Sequence, residues 1–496
     1  MDGHNSGKPT DLTRRRVLAG LAASAGAVGM GGCSNQANSS AVSALAKAVA
    51  KSAAAPPALP EPSSCGIDHI VVVMMENRSF DHFLGWVPGA NGRQAGQTFH
   101  DANGNPQQTH RLVPDWQGCG LADPPHGYYD GRIDVNGGKM DGFLHAESTG
   151  DTFPVGYYTA DDLPFYAGCA QKWTICDSYH SGILASTQPN RMYIHCGQTD
   201  RTTTGSGLPA TSTLPTIWDA ASAAGVKAGY YFNNLPYTAI WDAKYLGITK
   251  LYSQFAIDAA AGNLPSISYV DPFFYESGLD DLCNDDHPFA DVRNGQAFLN
   301  GIYDTLRSAP TWGKTLMVVC YDEWGGFFDH VVPPYMPVSG VERNVVGNDG
   351  QLGIRVPCIL IGPRAKQGHV DSTLFEPNSI LKFMEWRWNL TPLGVRSAVT
   401  NNIAYALDFS DSPRTDAPAF SVPANVLNSE ICAFVSSSSN SSSGAGGASS
   451  SSGSSTSNAA VARNSASSRL LTPSMAEHAH EVQMLQQKAR LAGFRW

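Results

Sequence analysis

The tightest constraint on the fold is a set of short, unbroken apolar runs that stop abruptly in polar residues. Ile70–Met75 ("IVVVMM") passes directly into Glu76-Asn77-Arg78, with Asp81 and His82 close behind. Leu316–Tyr321 ("LMVVCY") passes in the same way into Asp322-Glu323. Val356–Ile361 is a third run, and Ala228–Phe232 and Ile267–Val270 are weaker ones. Hydrophobicity without alternation means that both faces of a strand are covered, as in a mostly parallel sheet. Helical segments such as Gly295–Leu306 and Ser379–Trp388 lie between the runs, so an α/β chain with three α/β/α layers is expected.

The two ends do not share this pattern. Thr13-Arg14-Arg15-Arg16-Val17-Leu18 fits a twin-arginine export signal, and Val17–Met30 suits the short apolar region of a signal peptide rather than a membrane span. Residues 1–33 are read as that Tat signal, with Gly31-Gly32-Cys33 open to lipidation at Cys33. The Ala/Pro/Ser-rich residues 34–66 form a tether, and 67–435 the main domain. Residues 436–469 are a Ser/Gly-rich linker, and 470–496 a short amphipathic helix. Leu471, Met475, Val482, Leu485 and Ala489 recur at helical spacing in that last segment, behind a capping box of Ser474 and Glu477. Export places the protein in the periplasm, outside the cell or anchored to the envelope. A net charge of −10 argues against a nucleic-acid partner. None of the ten cysteines forms a Cys-x-x-Cys pair, so no zinc ribbon is expected; Cys320 and Cys358, in strand-like runs, are expected to be buried thiols.

Functional groups of open parallel sheets collect beyond the carboxyl ends of the strands. Glu76, Asn77, Asp322 and Glu323 would therefore share one rim. Carboxylates so close repel, and a divalent cation among them resolves the conflict. Thr187, in "ASTQPNRMY", stands where a helix starts; it is either an ordinary N-cap or a hydroxyl aimed at a bound phosphate. Arg78 has two readings, a phosphate contact or a bridge to Asp81. His82 and His330 either support ligand carboxylates from behind or pack at element ends.

These segments resemble the bacterial phosphoesterase family that includes Tat-exported phospholipases C and a group of acid phosphatases. The resemblance rests on "ENRSFDHFLG" (76–85), "NGGKMDGF" (136–143), "DDLPFYAGCAQKWTICDSY" (161–179), "ASTQPNRMY" (185–193), "DDHPFADVRNGQ" (285–296), "YDEWGGFFDHVVPP" (321–334) and "GIRVPCILIGP" (353–363). It implies an alkaline-phosphatase-like fold and one divalent metal ion, of unspecified identity, held by Glu76, Asn77, Thr187, Asp322 and Glu323. It further implies Thr187 as the nucleophile, His126 as the acid for the leaving group, and His287 and Asn77 as donors to the phosphoryl oxygens. The chain departs from the family in three places. Ala185-Ser186 stands for Gly-Pro, Trp324 for His or Asn, and Glu376-Pro377-Asn378-Ser379 for Asp-His-Thr-Ser.

The function expected is an exported, metal-dependent phospholipase C acting on phosphatidylcholine-type diesters through a phosphothreonine, with transient contact to a membrane surface. Trp86, Tyr128, Tyr129, Tyr157 and Tyr158 are candidates for a cation–π cage around choline, against the commoner alternative of core packing. Two rival readings are an acid phosphatase using the same site and a tethered, non-catalytic binding module.

Overall fold

The computed structural model describes residues 57–146, 150–201, 211–276, 279, 282–423, 432, 434–435, 469–470 and 473–496. The export signal, most of the tether and the Ser/Gly run lie outside the described residues, as do the side chains of Ser474, Met475 and Glu477. Eight strands build the central sheet: β1 (His69–Met75), β2 (Thr174–Cys176), β3 (Ala228–Phe232), β4 (Thr249–Leu251), β5 (Ile267–Val270), β6 (Thr315–Tyr321), β7 (Cys358–Ile361) and β8 (His369–Asp371). Their spatial order is β8-β2-β7-β6-β1-β5-β3-β4. Every neighbouring pair is parallel except those of β7, which runs antiparallel to both β2 and β6. Strand β7 has the same unbroken apolar pattern as its neighbours because burial of both faces, not direction, sets that pattern.

Helices cover both faces. One layer holds α2 (Pro164–Lys172), α5 (Tyr252–Ala260) and α6 (Val292–Ser308); the other holds α3 (Thr187–Cys196), α4 (Ile217–Ala223) and α7 (Pro377–Trp388). A short helix α1 (Phe80–Leu84) follows β1 directly. Two consecutive residues of β3 show the division. Tyr230 packs against Trp218 of α4 and His195 of α3, whereas Tyr231 packs against Phe255 of α5. Ile70 through Met75 are at most 3% exposed. Each such side chain contributes about 1.5–3 kcal/mol by leaving water, so the centre of the sheet is the most strongly held part of the molecule.

The C-terminal helix α8 (Pro473–Leu491) joins this same unit. Val482, Leu485 and Ala489, with Phe494 beyond the helix, are buried in the main core, and α8 lies against the 3-10 segment Tyr237–Ile248. The amphipathic pattern therefore has its partner within the chain. A disulfide joins Cys119 to Cys432, two residues before Phe434–Val435, which pairs in parallel with Arg469–Leu470. Cys320 and Cys358 are buried thiols. Among the described residues no helix is long and apolar enough to cross a membrane.

The Cys119–Cys432 bond closes a span of 313 residues. Replacing both cysteines by Ser should lower stability by about 2–5 kcal/mol, read from urea melts. Wild-type protein under reductant should match the variant; coincident melts of oxidised wild type and variant would refute the contribution.

Candidate active site

Strands β1 and β6 are adjacent and in register, with Met75 opposite Tyr321, so both deliver their polar residues to one edge. Asp322 donates its backbone N–H to the Met75 carbonyl at 3.1 Å, and Asn77 N–H donates to Asp322 Oδ1 at 3.3 Å. Asn77 makes that turn with φ at 61°, a left-handed conformation that Asn tolerates better than most residues. Gly325 is needed on the opposite strand's exit: its φ is 64°, and a Cβ there would collide with the Asn77 carbonyl. Its N–H donates to Glu323 Oε2 at 2.6 Å and fixes that carboxylate.

Thr187 opens α3 and is 5% exposed, and the hydroxyl of Ser186 just before it is buried without a hydrogen bond. Asn190 shapes the approach, accepting from Ile183 N–H and donating to the Ala185 and Ser186 carbonyls. Those bonds order the turn despite Ala185-Ser186 standing for Gly-Pro. One turn into α3, Arg191 reaches across the sheet edge. It donates to Glu76 Oε1 and the Met74 carbonyl, and lies 3.5 Å from both Asp322 Oδ2 and Asp271 Oδ1. Asp271 is the first residue beyond β5, so three strands each give Arg191 a carboxylate.

A single guanidinium leaves these groups undersupplied. Glu76 Oε2, Asn77 Oδ1, Asp322 Oδ2 and Glu323 Oε1 are all buried without a hydrogen bond. Burial holds the Glu76 carboxyl well above its usual range, Arg191 opposing it and Asp322, Asp285 and Glu323 reinforcing it. Burial likewise raises Asp322, against Arg191, and pushes Glu323 up to about 8. Unpaired buried oxygens on carboxylates that resist ionisation suit a divalent cation, and the residues present fit one. Glu76, Asn77, Asp322 and Glu323 would hold it, with the Thr187 hydroxyl as a further oxygen donor.

His126 stands beside this set. Its Nδ1 donates to the Pro124 carbonyl at 2.6 Å, so in the neutral ring Nε2 accepts from Asn77 Nδ2 at 3.2 Å, and it lies 3.6 Å from Glu323 Oε1, the partner it faces when protonated. Burial by itself would lower its pKa, but Glu323 and Asp123 prevail and raise it to about 9. His287 is fully buried against Tyr275. Its Nδ1 lies 3.1 Å from the Pro288 carbonyl, which can only accept, so the proton sits there and Nε2 presents a lone pair. Burial, with His478 and His126 nearby, keeps this ring neutral. The expectation that His287 donates to phosphoryl oxygens is thereby corrected.

Other expectations need correction too. Arg78 does not bridge Asp81; it donates to the Asp286 carbonyl and pairs with His82 Nε2, stacked over Phe327. His82 touches Arg78 and the Gly156 carbonyl, not a ligand carboxylate. His330 belongs to a separate buried cluster, bonded to Asp81 beside Asp329 and Arg355, because α1 turns Asp81 away from the rim. Of the five aromatic candidates three are committed elsewhere: Tyr158 is buried against His82 and Trp116, Tyr157 packs on the cluster of Phe99 and Phe328, and Trp86 donates to the Phe83 carbonyl. Tyr128 and Tyr129 pack on each other, with Arg132 over Tyr128. Trp324 is accommodated by a bond to Asp134, and Glu376 caps α7. Arg191, Asp271 and Asp285 were not assigned roles from the sequence, although Arg191 stands in the quoted "QPNR". His478 of α8, in Glu477-His478-Ala479-His480-Glu481, was not assigned a role either.

Residues 67–391 match the profile described as the Phosphoesterase family. Non-specific phospholipase C6 from Arabidopsis thaliana is 31% identical over 71% of this chain and 74% of its own length. Phospholipase C A from Mycobacterium tuberculosis (strain ATCC 25618 / H37Rv) is 31% identical over 72% of this chain and 80% of its own. A solved protein of the alkaline phosphatase superfamily from Vibrio parahaemolyticus aligns over 68% of this chain and 70% of its own with a TM-score of 0.34 and 9% identity.

Arg191→Leu should destabilise the protein by about 3–5 kcal/mol, since it strands buried carboxylates. The loss should shrink as pH falls and those carboxylates take up protons. Thermal melts at pH 5 and pH 8 check this; an equal loss at both would remove charge compensation as the cause.

Proposed function

The chain belongs to the phosphoesterase family and is a phosphoric ester hydrolase, and from that premise we propose an exported phospholipase C that cleaves phosphatidylcholine-type diesters through a phosphothreonine at Thr187. The observation that carries the reading is a set of four buried oxygens without a hydrogen bond, on Glu76, Asn77, Asp322 and Glu323, beyond the paired strands β1 and β6 and beside the helix that Thr187 opens. Relatives named as phospholipases C favour diesters over monoesters. The Cys119–Cys432 disulfide supports export, because such bonds persist mainly outside the reducing cytosol.

When bound, the divalent ion lowers the pKa of the Thr187 hydroxyl and offsets charge on the phosphoryl oxygens. The Thr187 hydroxyl gives its proton to solvent, Oγ1 attacks phosphorus, and the bond from phosphorus to the diacylglycerol oxygen breaks. His126 gives its Nε2 proton to the departing alkoxide, and phosphocholine stays on Thr187. Water attacks next, His126 recovers a proton from it, and phosphocholine leaves as Thr187 Oγ1 takes a proton back from solvent. The Asn77 amide and the unpaired N–H groups of the first turn of α3 steady the equatorial oxygens. Arg191 holds Glu76 and Asp322 in place throughout.

Phosphatidylcholine vesicles, p-nitrophenylphosphorylcholine and p-nitrophenyl phosphate, each with and without chelator, test this reading. Turnover of the choline diesters that chelator removes is expected; preference for the monoester would make the enzyme a phosphatase, and no turnover of any would make it a binding module. Thr187→Val should lose at least about 10⁴-fold in kcat with an unchanged melt. His126→Asn should cost about 10²–10⁴-fold on phosphatidylcholine, but far less on p-nitrophenyl substrates, whose leaving group needs no proton. Equal losses on both would exclude His126 as the acid.

Metal affinity should also depend on pH. Carboxyls raised in the metal-free protein, Glu323 to about 8, hold protons that the ion must displace. Affinity for Mn²⁺ should therefore tighten from pH 6 to pH 8, with proton release visible when titrations are repeated in buffers of different ionisation enthalpy. A pH-independent affinity would show that these carboxyls are already ionised.

A further inference from the structure

Helix α8 does more than cover apolar surface. Val482, Leu485 and Ala489 seat it in the core, Gln486 Nε2 donates to Glu276 Oε2 at 3.1 Å, and Lys488 pairs with Asp242 at 3.0 Å. That seating brings His478, near the start of the helix, to the active site, with its ring centroid 4.1 Å from that of His287. His478 hydrogen-bonds to the Tyr275 main chain, and its buried Nε2 has no partner, so Nδ1 makes that bond. His287 has the same arrangement, with Nδ1 on the Pro288 carbonyl and Nε2 bare. Glu76 keeps Oε1 on Arg191 and leaves Oε2 bare. Ligand atoms of Glu76, His287 and His478 all lie within 4.8 Å of one another.

We propose that Glu76, His287 and His478 form a second divalent-metal site, completed only when the C-terminal helix is docked. Two imidazole nitrogens and one carboxylate oxygen select a transition metal such as Zn²⁺, Co²⁺ or Mn²⁺ over Mg²⁺ or Ca²⁺. Main-chain carbonyls behind both rings fix the tautomer that exposes Nε2, as carbonyls and carboxylates behind ligand histidines do. The oxygen-rich set of Glu76, Asn77, Asp322 and Glu323 is a different environment, and Glu76 is common to both. The proposal rests on the functional reading above only through that shared residue.

Full-length protein stripped of metal and titrated with Co²⁺ alone decides the matter, by ions bound per chain and by the visible absorption of Co²⁺. Wild type should bind two ions. His478→Ala should bind one and lose the imidazole-ligated band, with an unchanged melt in the metal-free state, because apolar residues seat the helix. Leu485→Asp, which unseats α8, should lose the same ion. Asp322→Asn should lose the other ion and keep the band. No imidazole-ligated band in the wild type, or two ions in His478→Ala, overturns the second site, whereas one ion that carries the band counts against the oxygen-rich site alone; retention of the band in Leu485→Asp overturns its dependence on docking. Two ions in Asp322→Asn would instead count against the oxygen-rich site and leave this one standing.

Discussion

Arg191 is the interaction on which the rest of the site depends. It is fully enclosed, reaches from the first turns of α3, and meets carboxylates beyond three different strands: Glu76 after β1, Asp271 after β5 and Asp322 after β6. Without a cation there, the ends of β1 and β6 would bring Glu76 and Asp322 together at a cost of several kcal/mol per uncompensated charge. Because Arg191 and Thr187 share a helix, the same bonds that hold the carboxylates also set the distance of the hydroxyl from them. Assembly of the acidic rim and placement of Thr187 are therefore one event.

The site is left incompletely satisfied by its own residues. Native interiors pair nearly all their buried polar atoms, yet four oxygens and two imidazole nitrogens in this region make no hydrogen bond, two of the oxygens having only a longer ionic contact. Neighbouring acidic groups are handled differently. Asp81, Asp329 and Arg355 close on one another and on His330, with short bonds in every direction. The contrast separates a polar cluster that finishes a fold from one that awaits something from outside.

Much of this was legible from residue order, for physical reasons. Ile70–Met75 and Leu316–Tyr321 declare themselves because burial of both strand faces admits no polar residue until the strand ends, and the rule of parallel sheets puts Glu76 and Asp322 on one edge. The direction of β7 was not legible, since two-sided burial carries no sign. His82 and His330 misled because Phe-Asp-His looks alike whether its histidine turns toward the rim or away; α1 turns His82 onto Arg78, and Asp81 of the same helix holds His330. The tautomer of His287 depends on the Pro288 carbonyl, a contact set by the turn rather than by residue type. His478 lay furthest from view: Glu477, His480 and Glu481 beside it read equally well as the solvated face of an amphipathic helix, and only the docking of α8 brings it to Tyr275.

Phe434–Val435 and Arg469–Leu470 lie side by side, with Cys432 bonded to Cys119 just before them. The serine-rich segment between them thus begins and ends at one fixed place, whatever its own path. Closing a loop twice as long costs only about 0.6 kcal/mol more. Repetitive tracts gain and lose codons easily, and here such drift would be mechanically silent: the helix would keep its seat and His478 its position while the tract lengthened or shortened from one lineage to the next.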